Sequence, residues 1–240
     1  MKEILTGIAD VLLPGRCPIC HATVRTRQAL PLCESCLSQI TAIRPPICSA
    51  CGLPFPTESG TDHLCGDCLL SPRVFTRARA VGHYEGSLLT AIHAFKYQGQ
   101  SALGRILGRL MADHDYHDFH ISSCTMIIPV PLHVRRLRER GFNQALILAR
   151  AIARRHELPL DFTSLMRQVA TPPQITLGKT ERQRNVRDAF RIREPGRVKG
   201  EKIIIVDDVY TTGSTLNECA RVLLEGGANE VAALTLARAI

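Results

Sequence analysis

The sequence predicts an α/β domain on a mostly parallel sheet, preceded by a small zinc-binding region, and three observations carry that expectation. Eight of the ten cysteines fall in four C-x-x-C pairs in the first third of the chain. Residues 202–206, KIIIV, form a β-branched run of the kind that makes a buried parallel strand. That run leads through Asp207-Asp208 into a hydroxyl-rich turn, a helical stretch and a last apolar run at 231–237, a strand–helix–strand unit with an expected right-handed crossover.

At 240 residues, 45% of them hydrophobic, the chain has room for one ordinary domain and a small one. Lysine and arginine number 30 against 22 acids, a net charge of +8 with a pI near 9.2. This charge favours polyanionic partners, nucleic acid or phosphorylated substrate, without choosing between them. The absence of Trp and a 5% aromatic share argue against a base-stacking platform as the main binding mode. Residues 1–15 place Ile4, Leu5, Ile8, Val11 and Leu12 at helical spacing between Glu3 and Asp10. That is a short amphipathic helix, too polar for a signal segment and too short for a bilayer. With no long apolar run elsewhere, the expectation is no membrane span and a cytoplasmic location, where paired cysteines bind metal more often than each other.

The pairs are Cys17/Cys20, Cys33/Cys36, Cys48/Cys51 and Cys65/Cys68. Two pairs complete one tetrahedral shell, so four suggest two structural Zn²⁺ ions. The simplest grouping joins the first two pairs and the last two; spacing alone leaves a cross-braced grouping open. Gly52, directly after Cys51, suits the left-handed turn of a cysteine knuckle. Iron–sulfur ligation is the weaker alternative, and Cys17-Pro-Ile-Cys20-His21 matches a haem-attachment pattern that three further pairs disfavour. Cys124 and Cys219 stand alone in apolar or helical settings and read as buried thiols. The front has little apolar material, so metal is expected to hold it together, either as a nucleic-acid surface or as a module docked on the second domain.

Ser71-Pro72 ends this region, giving units of 1–72 and 73–240. Residues 78–84 read as a strand, and Leu88, Leu89, Ile92 and Phe95 stripe a helix that ends at Lys96-Tyr97. Lys96 could reach a phosphate from the helix end, but taken alone it reads as a solvated charge complementing the helix dipole. Leu103, Ile106, Leu107, Leu110 and Met111 stripe a second helix, and residues 113–120 read as a polar surface loop.

Three segments are expected to handle phosphate, although the first taken alone reads equally as a basic surface loop or a nucleic-acid patch. Residues 126–131, MIIPVP, form a short buried strand followed by a loop with His133, Arg135, Arg136, Arg138 and Arg140. Loops at the carboxyl ends of α/β strands bind ligands, and arginine forks suit phosphate oxygens. The next helix carries Phe142, Ala145, Leu146, Ala149, Ile152 and Ala153 inward. Residues 171–190 are long, polar and aperiodic, with Gln174, Lys179, Arg182, Arg184, Asn185 and Arg187, as in a lid over a phosphorylated ligand. Gly178-Lys179-Thr180 fails as a Walker A ending, because Pro173 occupies the required glycine position. In the third segment, Asp207-Asp208 ends the strand, and Thr211, Thr212, Gly213, Ser214 and Thr215 make a nest at a helix N-terminus. Carboxylates ahead of an anion nest recognise a sugar phosphate, hydroxyls at one end and phosphate at the other. A Walker B strand without Walker A, or simple helix capping, explains fewer of these residues.

Residues 207–215, DDVYTTGST, resemble the phosphoribosyl-pyrophosphate (PRPP) motif of type I phosphoribosyltransferases. The chain as a whole resembles the ComF family, with support from residues 94–97 (AFKY), 129–132 (PVPL) and 140–144 (RGFNQ). The resemblance implies a Rossmann-like, type I phosphoribosyltransferase-like domain. It implies that Asp207 and Asp208 are the catalytic acids, holding ribose hydroxyls and Mg²⁺. Val209, Tyr210, Thr211, Thr212, Gly213, Ser214 and Thr215 would complete the PRPP site. Pro131, His133, Arg135, Arg136 and Arg140 would lie near pyrophosphate, and Lys179, Arg182 and Arg184 in the lid. The implied partners are PRPP and, through DNA uptake, DNA or uptake and helicase proteins. Three functions fit the sequence: a phosphoribosyltransferase with an unread acceptor, a PRPP-binding regulator, and a zinc-module DNA adaptor.

Overall fold

The computed structural model describes residues 15–24, 32–57, 59–97, 101–169 and 187–240. The amphipathic segment 1–14 lies outside the described residues, as do Lys179, Arg182, Arg184, Gln174 and Asn185. Among the described residues no helix is long and apolar enough to cross a membrane.

In the cysteine-rich front one device is used twice. Each tetrad combines a tight turn with the start of a short helix. Strands β1 (Gly15–Arg16) and β2 (Thr23–Val24) pair antiparallel and carry Cys17 and Cys20 in the turn between them. Helix α1 (Glu34–Ser38) has Cys33 as its N-cap, accepting from the Cys36 amide. In the second tetrad the Gly52 amide bonds the Cys48 carbonyl at 2.8 Å, and Gly52 takes the expected left-handed φ of 68°. Cys65 stands at the N-cap position of helix α2 (Gly66–Leu70), without a side-chain capping bond. The sulfurs group as Cys17/Cys20/Cys33/Cys36 and Cys48/Cys51/Cys65/Cys68, which removes the cross-braced alternative.

The larger unit follows as β3 (Ala78–His83), α3 (Gly86–Tyr97), α4 (Ser101–Asp113), β4 (Met126–Pro129), α5 (Val134–Arg140), α6 (Gln144–His156), β5 (Leu165–Arg167), β6 (Phe190–Ile192), α7 (Pro195–Val198), β7 (Lys202–Tyr210), α8 (Ser214–Glu225) and β8 (Glu230–Arg238). The main sheet has the order β3-β8-β7-β4, all parallel, while β5 and β6 form a separate antiparallel pair. Successive residues of β7 alternate between faces. Ile204 and Val206 pack in one apolar cluster with Leu88, Phe95, Leu107 and Leu148 of α3, α4 and α6. Ile203 and Ile205 pack in a second with Leu216, Cys219 and Leu223 of α8. A sheet covered on both faces explains why its strands read as unbroken apolar runs.

Four sequence expectations change. The arginine-rich segment after β4 is not a loop but helix α5, held by the His133 cap, Arg135–Glu139 and Arg136–Glu139 ion pairs, and a left-handed Gly141. Strand β7 does not end at the aspartates; pairing of Val209 with Ala237 and Tyr210 with Arg238 extends it. On α6, Leu148 is fully buried, whereas Leu146 is half-buried. Residues 113–120 bury Tyr116 and Phe119, because the loop folds back onto the core, and Asp118 there binds Arg77 and Arg79. Cys124 and Cys219 are buried thiols as expected, and burial pushes both up.

The front is not separate from this core. Cys17, Val24, Leu32 and Cys36 belong to the first apolar cluster, and the second tetrad to the other. Backbone bonds join Ala78 N to Ala50 O at 2.7 Å and His83 N to Thr41 O at 2.9 Å.

Candidate functional site

Residues 207–216 line a cleft of about 570 Å³, together with Tyr84, His93, Lys96 and Tyr97. The turn is built by its sequence. Tyr210 ends β7, and Gly213 then adopts φ 76° as the N-cap of α8. A β-carbon at Gly213 would stand 2.2 Å from the Tyr210 hydroxyl, so only glycine fits. Thr212 Oγ1 and Ser214 Oγ lie 2.8 Å apart, and the Asn217 amide bonds the Gly213 carbonyl at 2.8 Å. The first amides of α8 have no partner within the helix, which with these hydroxyls makes a cradle for a phosphate dianion.

At the other end stand the carboxylates. Lys96 Nζ lies 2.8 Å from Asp208 Oδ1, with side chains only 16% and 12% exposed. Burial alone would lower Lys96, but the Asp208 charge and hydrogen bond outweigh it and raise the ammonium above the ordinary lysine value. The Asp208 amide donates to Asp207 Oδ1 at 2.9 Å. Burial, then the neighbouring Asp208 carboxylate, push Asp207 up to about 7, against the opposing charges of Lys96 and Arg167. Burial and the neighbouring carboxylate make a further cation favourable beside Asp207, and hard oxygen donors of this kind fit Mg²⁺. The reading of Lys96 as a solvated end charge is therefore overturned. The last turn of α3 lies against β7, so its cation is held by Asp208 rather than by water.

The remaining expected phosphate ligands are divided. Pro131 lines a separate hollow of about 440 Å³ with Leu137, Phe142 and Asn143. His133 caps α5 by accepting from the Arg135 amide, and Arg135 and Arg136 pair with Glu139. Among the described residues of the group, Arg140 alone reaches the cleft wall, 5.4 Å over the Tyr97 ring, while bonding Gln144 Oε1 at 3.0 Å. Sequence reasoning missed Tyr84, His93 and Tyr97 as cleft residues; His93 Nε2 lies 3.0 Å from the Tyr84 hydroxyl. The one signal was the 94–97 segment, whose resemblance went beyond helical periodicity.

Both cysteine tetrads fit a tetrahedral cation. A Zn–S distance of about 2.3 Å puts sulfurs roughly 3.8 Å apart. Cys51 and Cys65 sulfurs stand 3.7 Å apart, those of Cys20 and Cys33 3.4 Å, and each set of four lies within 4.8 Å. Backbone amides of Cys36, Cys51 and Cys65 point at sulfurs at 3.3–3.4 Å, as thiolate ligands require.

Residues 8–69 match the family described as double zinc ribbon domain, and residues 143–240 match the phosphoribosyl transferase domain. The chain is 35% identical over 232 residues to DNA utilization protein YhgH of Escherichia coli K12, covering 95% of this chain and 99% of that one. It is 34% identical to competence protein F of Haemophilus influenzae, covering 87% and 90% of the two chains. To competence protein ComFC of Bacillus subtilis it is 30% identical, covering 86% and 84%.

Proposed function

Because the chain belongs to the family of the YhgH and ComF DNA-utilization and competence proteins, we propose that its cleft binds Mg-PRPP and transfers the phosphoribosyl group, in the cytoplasm, in service of DNA uptake or use. One observation carries the reading: a carboxylate pair, its Asp208 held by Lys96, and a glycine-hinged anion cradle share one cleft. Residues 211–215 receive the 5-phosphate, and Asp207 and Asp208 accept hydrogen bonds from the ribose diol. Mg²⁺, held by these carboxylates directly or through water, would neutralise charge on the leaving pyrophosphate. Lys96 holds Asp208 in place, and Arg140 stands at the margin where the pyrophosphate or the acceptor enters. Arg135 and Arg136, occupied by Glu139, are assigned no direct contact. Lys179, Arg182 and Arg184 remain the proposed lid. The protein supplies position and charge rather than a nucleophile: an acceptor nitrogen attacks the anomeric carbon as the C1–pyrophosphate bond breaks.

Titration calorimetry with PRPP, with and without Mg²⁺, tests the binding. Heat that requires Mg²⁺ and disappears in Asp207→Asn/Asp208→Asn is expected; no heat in the wild type sinks the proposal. Pyrophosphate release across an acceptor screen separates a transferase from a PRPP-binding regulator. Zinc analysis should return two Zn²⁺ per chain.

A further inference from the structure

Arg238, the last residue of β8, is a charged side chain only 6% exposed, and its contacts join the second cysteine tetrad to the turn after β7. Its guanidinium donates to the Cys51 carbonyl at 2.5 Å and to the Cys51 sulfur at 3.3 Å. The same group lies over the Tyr210 ring, 4.2 Å from its centroid. Tyr210 is buried, and its hydroxyl edge sits where a β-carbon on Gly213 would fall, 2.2 Å away. Phe75 meets the ring edge-on at 6.4 Å. Three successive contacts thus lead from a cysteine sulfur to the left-handed turn of the cradle.

The electrostatics fit a filled site. Four thiolates around a divalent cation carry a net charge of about −2. Arg238 lies against Cys51 and Arg73 against Cys68, two cations for two excess negative charges. Burying Arg238 would be unfavourable beside neutral thiols, because a buried charge needs an opposite one. Arg238 is thus held by hydrogen bonds to Cys51 on one side and by packing on the Tyr210 ring on the other.

We propose that Arg238 is a positioning residue through which a metal in the second tetrad sets the order of residues 211–215. Metal held by Cys48, Cys51, Cys65 and Cys68 fixes the guanidinium. The guanidinium fixes the Tyr210 ring, and the ring fixes the Gly213 turn. The first tetrad packs in the other apolar cluster, outside this chain of contacts. The inference rests on the reading of residues 211–215 as the phosphate cradle, but the coupling itself is measurable without a phosphate.

The test is amide hydrogen exchange on the full chain, with zinc content measured on the same samples. Arg238→Met should keep two Zn²⁺ and a protected β7, while exchange at residues 211–216 rises roughly 2- to 30-fold, the range of such couplings. Arg238→Lys, which keeps the charge but not the planar stack, should restore part of the protection. Withdrawing the second Zn²⁺ from wild type with a graded chelator should give the same local rise. By reciprocity, Mg-PRPP should tighten zinc binding at the second tetrad of wild type and not of Arg238→Met, read as a shift in the competing chelator concentration that removes half the metal. A folded Arg238→Met with two Zn²⁺ and wild-type exchange at 211–216 overturns the proposal. If that variant does not fold, unchanged exchange on loss of the second Zn²⁺ from wild type overturns it instead. Absence of PRPP heat in wild type refutes the proposed function, and the exchange result still decides the coupling.

Discussion

At the residue scale the Lys96–Asp208 pair decides most about the cleft. Both groups are largely out of water, so removing one leaves the other as an uncompensated charge beside Asp207. Breaking such a pair costs about 3 kcal/mol, far more than an exposed pair. Lys96→Met should therefore lower urea stability at pH 7 by about that amount, and Lys96→Met/Asp208→Asn should recover most of it. A loss under about 0.5 kcal/mol in the single variant would place the pair in solvent. Asp118 gives the pH dependence. Arg79, 4% exposed, binds it through Nε and Nη2, both at 2.6 Å, and Arg77 adds a contact at 3.3 Å. Burial pushes the Asp118 carboxyl up, but Arg79 and then Arg77 outweigh burial and hold it below the usual range. A carboxyl lower in the folded than the unfolded state stabilises above the unfolded value, near 3.9, and loses that contribution as pH falls through its folded value. Asp118→Asn should cost about 2 kcal/mol at pH 7, and urea midpoints of variant and wild type should begin to approach each other below about pH 4 and meet only below the lowered folded value.

At the element scale, helix packing outweighs helix propensity at Gly104 of α4. Glycine to alanine within a helix ordinarily gains up to about 1 kcal/mol. Here a β-carbon would stand 2.4 Å from the Phe95 ring and 2.8 Å from Ile147, and Phe95 is fully buried. The steric cost of overpacking, about 1–3 kcal/mol, wins. Gly104→Ala should unfold earlier in urea; a gain would mean that α3 and α6 separate easily. The same balance explains what the sequence disclosed. Strands β7 and β8 were legible because both of their faces are buried, so Ile203, Ile204 and Ile205 announce them without any partner. The glycine-hinged turn was legible because Thr212, Gly213 and Ser214 are local. Lys96 and Arg238 were not, since each takes its meaning from a partner on a distant element: Asp208 for one, Cys51 for the other. Helix α5 was hidden because its arginines suggested phosphate contacts, whereas Arg135 and Arg136 pair with Glu139 one turn on. Only the fold separates Arg140, which reaches Tyr97, from its neighbours.

At the scale of the whole molecule, the two regions distinguished by composition share their cores. Leu32 and Cys36 are buried with α3 and α4, and Phe75 and the second tetrad are buried with β7, β8 and α8. Gly52 approaches Ala78 so closely that a β-carbon would lie 2.5 Å from its carbonyl, and Arg79 donates to Ser49 O at 3.0 Å. A front stabilised by metal and docked this way cannot unfold without exposing apolar surface of the larger unit. Metal that binds only the folded chain adds stability to everything cooperative with its site, by about 1.4 kcal/mol for each tenfold excess over its dissociation constant. Calorimetry of the zinc-loaded chain should therefore show one transition that includes the α/β unit. Stripping both Zn²⁺ should lower that transition by at least about 10 °C, a shift corresponding to a few kcal/mol for a chain of this size. Two resolved transitions, with the larger one indifferent to chelator, would show instead that the front folds and unfolds on its own.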